Sequence, residues 1–140
     1  VILLGLLDWG RFVFPSWLRC VVGQATWVLG LFLAGWAFLT LGLSATTGGG
    51  DRLVVRGPYR FTRNPQYMGF ILGLTGWTLL SNSLLTLAAS LIAILLLVLV
   101  PRVEEPWLRE RYGSDYENYL NRVPRFWPCP LCRRSAGRKS

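Results

Sequence analysis

Residues 66–100 read QYMGFILGLTGWTLLSNSLLTLAASLIAILLLVLV, 35 consecutive positions without a charged side chain. A stretch of that length is foreign to a soluble domain, since about 20 apolar helical residues already cross a hydrocarbon layer. Ser81, Asn82 and Ser83 interrupt it once, so it reads as a helical hairpin with a polar turn. The first arm, Gln66 to Leu80, is short for a full span. The second, Leu84 to Val100, is apolar on every face, the pattern of a lipid-facing or deeply packed helix. Gly69, Gly73 and Gly76 recur along the first arm at spacings of four and three, a face on which a neighbouring helix can approach closely.

Working outward, Cys20 to Leu43 (CVVGQATWVLGLFLAGWAFLTLGL) gives 24 further uncharged residues, enough for one complete span. Gln24 is its polar outlier, and helix–helix hydrogen bonding is the commoner reason for such a residue. Val1 to Leu7 (VILLGLL) reads as the end of another span whose beginning is missing, in a chain that starts without Met. Trp9, Trp17, Trp107 and Trp127 stand near span ends, where interfacial anchors belong. The fold class expected is therefore all-α: a multi-pass transmembrane helical protein with a helical hairpin and a cytoplasmic C-terminal cofactor-binding segment. Residues 1–126 form one domain on this reading: a partial span at 1–7, a span at 20–43, the hairpin at 66–100 and a cytoplasmic segment at 101–126. Residues 127–140 form a basic tail, read as disordered.

The composition agrees. Of 140 residues 52% are hydrophobic and only 16% charged, with a mean hydropathy of +0.39. If the hairpin turns at 81–83, residues 44–65 and 101–140 share one face of the membrane, and they hold 13 of the 15 basic residues. Arg11 and Arg19 alone lie on the other side, so the positive-inside rule places the basic face in the cytoplasm. The net charge of +8 is then an orientation signal and an attraction to anionic headgroups. No nucleic-acid partner is expected, because no basic helix face interleaved with aromatics accompanies it.

The chain has no histidine. That excludes Ser-His-Asp and Cys-His nucleophilic sites and His-ligated zinc proteases. The polar residues gather in two clusters on the basic face. One is Asp51 to Gly69, DRLVVRGPYRFTRNPQYMG, interrupted by Pro58 and Pro65; Pro65 suits the first position of the hairpin's first helix. Amides at that helix start, with Arg60 and Arg63, could form an anion site, or the segment could be an ordinary basic loop. The other cluster is Arg102 to Phe126, where the adjacent Glu104 and Glu105 stand as the apolar helix emerges. Adjacent carboxylates at a membrane boundary either serve a ligand or pair with the loop arginines.

RGPYRFTRNPQYMG, an apolar hairpin, Glu104-Glu105, and then RYGSDYENYLNRVPRF together resemble the isoprenylcysteine carboxyl methyltransferase family, whose broader group includes the phospholipid N-methyltransferases. The likeness runs in order over about residues 51–126. It implies an integral membrane enzyme that binds S-adenosyl-L-methionine in a cytoplasmic pocket closed by the C-terminal part. Asp51, Arg52, Leu53 and Val54 would lie along the cofactor, with Tyr59, Asn64, Pro65, Gln66, Tyr67, Glu104 and Glu105 completing its site. Arg102, Glu105 and Tyr67 are the catalytic candidates, Arg102 as the arginine that faces substrate. Asn64 departs from the family's usual histidine; an amide donates and accepts hydrogen bonds but does not titrate, so binding rather than proton transfer is expected there.

Methyl transfer suits a chain without imidazole, because in-line displacement depends mainly on positioning. A carboxylate acceptor needs no prior deprotonation, whereas an amine would need help from Glu105 or Tyr67. The substrate expected is a lipophilic small molecule or lipid-modified group that enters from the bilayer among membrane lipids. Cys129 and Cys132 (CPLC) have a spacing that suits half of a zinc site or a redox pair; the second half of a zinc site is missing, so no metal is expected. Two other readings stand beside this one: an NADPH-dependent membrane sterol- or enone-type reductase, and a non-catalytic membrane scaffold.

Overall fold

A computed structural model describes residues 1–7, 16–42, 53 and 55–126. The expectations placed on Trp9, Arg11, Asp51, Arg52, Val54, Trp127, the Cys129/Cys132 pair and the 127–140 tail lie outside the described residues. Those residues are mostly helical and contain no strand. Helix α1 spans Ile2–Leu7; a π-helical turn, Leu18–Gly23, runs directly into α2, Gln24–Leu41. A 3₁₀ turn, Gly57–Arg60, precedes α3, Pro65–Ser81, and α4 covers Leu84–Arg122.

The interior is built from small and polar residues. The buried set includes Ala34, Ala37, Ser81, Ser83, Thr86 and Ser90, while Leu29, Phe32, Leu39, Leu91, Ile92, Leu95 and Leu96 are exposed. A water-soluble domain cannot afford that inversion, because exposed apolar area is unfavourable at about 25 cal/mol per Å². In lipid the penalty vanishes and close backbone packing becomes the driving force. Two helical stretches, Arg19–Leu41 and Leu84–Arg122, are long and apolar enough to cross a membrane.

The glycine face expected on the first hairpin arm meets α2. A Cβ at Gly69 would lie 2.8 Å from Ala34 Cα, one at Gly76 would strike the backbone of Trp27, and one at Gly30 would strike Gly73. Because the α2 partner falls in number as the α3 residue rises, the two helices are antiparallel. Their main contact is with each other, and α3 touches α4 far less. Residues 66–100 are thus a hairpin by connectivity, while α2 is the close neighbour of the first arm.

The turn between α3 and α4 has Asn82 in the left-handed region (φ 48°, ψ 43°), and Ser83 Oγ caps α4 by accepting from Thr86 N–H at 3.1 Å. Just beyond, Thr78 Oγ1 lies 2.8 Å from both Ser90 Oγ and Leu74 O. Gly5 of α1 seats on Trp77, Ser81 and Thr86 at this same end. Gln24 is exposed on α2.

The second arm does not end at Val100. It continues through Pro101 and Pro106 to Arg122, with one break at Gly113 (φ 51°, ψ −128°). The expected arm ended where the uncharged run ends; the residue before a proline is also biased away from helix, yet Pro101 is fully buried and the helix carries it. The apolar arm and the polar cluster at 102–122 are therefore consecutive parts of one helical rod, broken at Gly113.

Candidate functional site

The loop before α3 sits on the end of α2. Gly57 has φ 54°, and a Cβ there would lie 2.9 Å from Thr40 Oγ1, so the turn needs glycine twice over: for conformation and for space. Pro58 and Tyr59 follow, both buried. Tyr119 Oη donates to Tyr59 O at 2.8 Å, fixing the turn against the helical segment after Gly113. Tyr116, Tyr119 and Val123 form the small apolar core there, and Leu53 packs on it.

Thr62, Arg63 and Asn64 are stitched to the chain's Pro124-Arg125. Arg63 N–H donates to Pro124 O at 2.9 Å, while Thr62 Oγ1 and Asn64 Nδ2 both donate to Arg125 O, at 2.9 and 3.0 Å. Asn64 is the residue before α3, and Pro65 opens the helix as expected, with Met68 N–H bonding back to Asn64 O. The Asn64 amide therefore performs a structural task that needs a donor and no titration. Gln66 is half-buried beside it.

The adjacent glutamates part ways. Glu104, exposed on α4, accepts a 2.7 Å hydrogen bond from Tyr67 Oη. Glu105 turns inward to two guanidinium groups: Arg63 Nη1 at 3.2 Å on Oε1, and Arg125 with Nε at 2.9 Å on Oε1 and Nη2 at 2.6 Å on Oε2. Its side chain is 14% exposed, that of Arg63 15%. Arg63, which could have served an anion at the α3 start, is thus engaged by a carboxylate, and Arg60 and Arg102 are exposed. Arg125 and Tyr119 were absent from the expected site; the VPR run and the Tyr-x-x-Tyr spacing were their only signals.

A cavity of about 600 Å³ opens on the other side of Tyr119, lined among others by Leu53, Val55, Asp115, Asn118 and Arg122. Leu53 is thereby the one described member of the expected 51–54 stretch that borders a cavity.

Burial, and then the neighbouring Glu104 charge, push the Tyr59 phenol up from 10.0 to about 12; burial raises Tyr119 as well. For a phenol whose folded pKa exceeds its unfolded value, the stabilisation is complete below the unfolded pKa and is lost as pH climbs through the folded one. Thermal stability in detergent is thus expected to hold to pH 10 and to fall between pH 10 and pH 12. Tyr59→Phe should make that fall shallower, and an equal slope in both proteins would remove Tyr59 as its source.

These features define a membrane-type helical protein in which a Gly-Pro-Tyr loop and a C-terminal Pro-Arg segment lock together beside an exposed Tyr–Glu pair. The phospholipid methyltransferase family matches residues 18–115, and the chain belongs to that family. It is 25% identical over 116 residues to phosphatidylethanolamine N-methyltransferase B of Dictyostelium discoideum, covering 78% of this chain and 58% of that protein. It is 30% identical over 114 residues to a probable protein-S-isoprenylcysteine O-methyltransferase of Oryza sativa subsp. japonica, covering 76% and 60%. The protein-S-isoprenylcysteine O-methyltransferase of Saccharomyces cerevisiae matches at 30% over 113 residues, covering 76% and 44%. The chain therefore spans about half of the length of the curated relatives it matches. No solved structure matches it.

Proposed function

We propose that the chain is a multi-pass membrane methyltransferase that uses S-adenosyl-L-methionine to methylate a lipophilic acceptor by in-line displacement. The observation that carries this reading is the Tyr67–Glu104 pair, an exposed carboxylate with an ordered donor at the membrane boundary. A carboxylate has about four acceptor positions, and Tyr67 takes one. The rest can receive an ammonium or ribose hydroxyl donor, so these free acceptor positions suit this cofactor. Bound there, the cofactor would supply the methyl group on a sulfonium. Tyr59 would wall the site, and Asn64, Pro65 and Gln66 would frame the start of α3 beneath it, while Leu53 stands on the cavity beyond Tyr119.

The chain's own residues then bind, orient and exclude water. For a carboxylate acceptor no base is required, and exposed Arg102 is placed to meet an anionic head. For an amine acceptor, the proton would pass to Glu104, directly or through Tyr67 Oη, because both Glu105 oxygens are occupied by guanidinium groups. The relatives carry two acceptor types in their names, a nitrogen of phosphatidylethanolamine and an oxygen of protein S-isoprenylcysteine. The substrate tail would lie between helices against bilayer lipid, and the basic face carrying the loop and α4's polar end would be cytoplasmic.

A ligand that binds only the folded state raises its stability by RT ln(1 + [L]/Kd), about 2.7 kcal/mol at a hundred times Kd. S-adenosylhomocysteine is expected to raise the melting temperature of the detergent-solubilised chain, and NADPH to leave it alone. Stabilisation by NADPH alone would point to a reductase, and silence with both ligands to a scaffold. Incubating a lipid extract with methyl-labelled cofactor and identifying the labelled product separates the two acceptor classes.

A further inference from the structure

We infer that Glu105 is a positioning residue rather than a ligand: its carboxylate locks the Pro124-Arg125 segment across the start of α3 and so sets the Tyr67–Glu104 pair. The inference rests on the cofactor reading of that pair.

Three observations support it. Arg125 is gripped at both ends, its carbonyl by Thr62 and Asn64 and its guanidinium by Glu105 in a two-pronged contact. Fork-to-fork contacts of this kind fix direction as well as distance. Next, Glu105 stands between two cations. Without it, Arg63 and Arg125 would face each other with no counter-charge in a mostly buried spot, where an uncompensated charge is expensive. Finally, consecutive helical residues point about 100° apart, so the carboxylate directed at Arg125 necessarily turns its neighbour Glu104 to another face, where Tyr67 meets it. The bend at Gly113 brings the chain back far enough for this closure. One glutamate of the pair thus closes the site and the other lines it.

The test uses the full chain in detergent, with S-adenosylhomocysteine as the probe and Glu105→Gln, Arg125→Gln, their double variant and Glu104→Gln as the series. If Glu105 acts through Arg125, each single change weakens binding about tenfold or more and the double variant is no worse than the poorer single, since residues in one network are not additive. Adding Glu104→Gln to Glu105→Gln then costs less than Glu104→Gln costs in the parent chain, because the pair it belongs to is already unset. If Glu105 touches the ligand, removing it on the Arg125→Gln background costs a further factor, and that result overturns the inference. Hydrogen exchange gives a second readout independent of any ligand. The Arg63 amide, which donates to Pro124 O, should exchange faster in Glu105→Gln and unchanged in Tyr67→Phe. Equal exchange in Glu105→Gln and the parent overturns the lock. A parent chain with no affinity for the probe removes the cofactor reading, while the exchange experiment still decides whether Glu105 locks the segment.

Discussion

Gly30→Ala is expected to destabilise the chain far more than Gly73→Ala, although the two glycines touch each other. A Cβ on Gly30 runs into the backbone of Gly69 and Gly73, whereas a Cβ on Gly73 meets nothing within 4 Å. Inserting a methylene into a packed core costs about 1–3 kcal/mol when side chains can yield. Here the obstacle is the partner helix's own backbone, so α2 and α3 must separate along their whole length. At roughly 2–8 °C per kcal/mol for a chain of this size, Gly30→Ala should lower the melting temperature by several degrees at least, and Gly30→Leu should abolish the folded species. Gly35→Leu is the matching control, because nothing lies within 4 Å of its Cβ position. The measurement is the thermal transition of each variant in one detergent. If Gly30→Ala and Gly73→Ala melt together, the helices are not packed through this contact.

That asymmetry marks what could be read from the chain and what could not. The Gly69/Gly73/Gly76 stripe was visible as a face, because helical spacing is a local property. Its partner, Trp27, Gly30 and Ala34 on α2, was not. Small residues are common in apolar helices, and nothing within α2 says which stripe pairs with which. For the same reason the expected hairpin was correct in its turn at 81–83 and silent on α3's preference for α2. The overrun of α4 past Val100 had a different cause. Two prolines and a run of charges are local stop signals, and burial of Pro101 in the tertiary structure overrode them.

In the site, the polar clusters were legible because polar residues beside apolar spans are few, and their adjacency followed from the hairpin. The division of labour between Glu104 and Glu105 was not. Two neighbouring carboxylates look identical in sequence, and only the helix rotation that sends one toward Arg125 distinguishes them. Asn64 shows the converse. As a departure from a motif it put the site in question, and in the structure its amide is a donor to Arg125 O, a contact that needs no titrating group.

Glu104→Gln should produce the largest functional loss of any single change that leaves the fold intact. The substitution keeps shape and hydrogen-bonding capacity while removing the charge, and Glu104 is exposed, so no buried network collapses with it. A hydrogen bond to a charged group contributes about 1.5–3 kcal/mol, and an ammonium facing that carboxylate would add to it. The affinity for S-adenosylhomocysteine is therefore expected to fall by roughly a hundredfold, since each 1.4 kcal/mol is a factor of ten. Tyr67→Phe removes only the donor that orients the carboxylate and should cost about tenfold on the same scale. The competing location is the 600 Å³ cavity beyond Tyr119, where Asp115 offers the alternative carboxylate. Asp115→Asn separates the two. A loss concentrated in Glu104→Gln places the cofactor's cationic end at the membrane boundary, within reach of an acceptor arriving from the bilayer. A loss concentrated in Asp115→Asn would move it behind Tyr119 and leave Tyr67–Glu104 to the substrate alone.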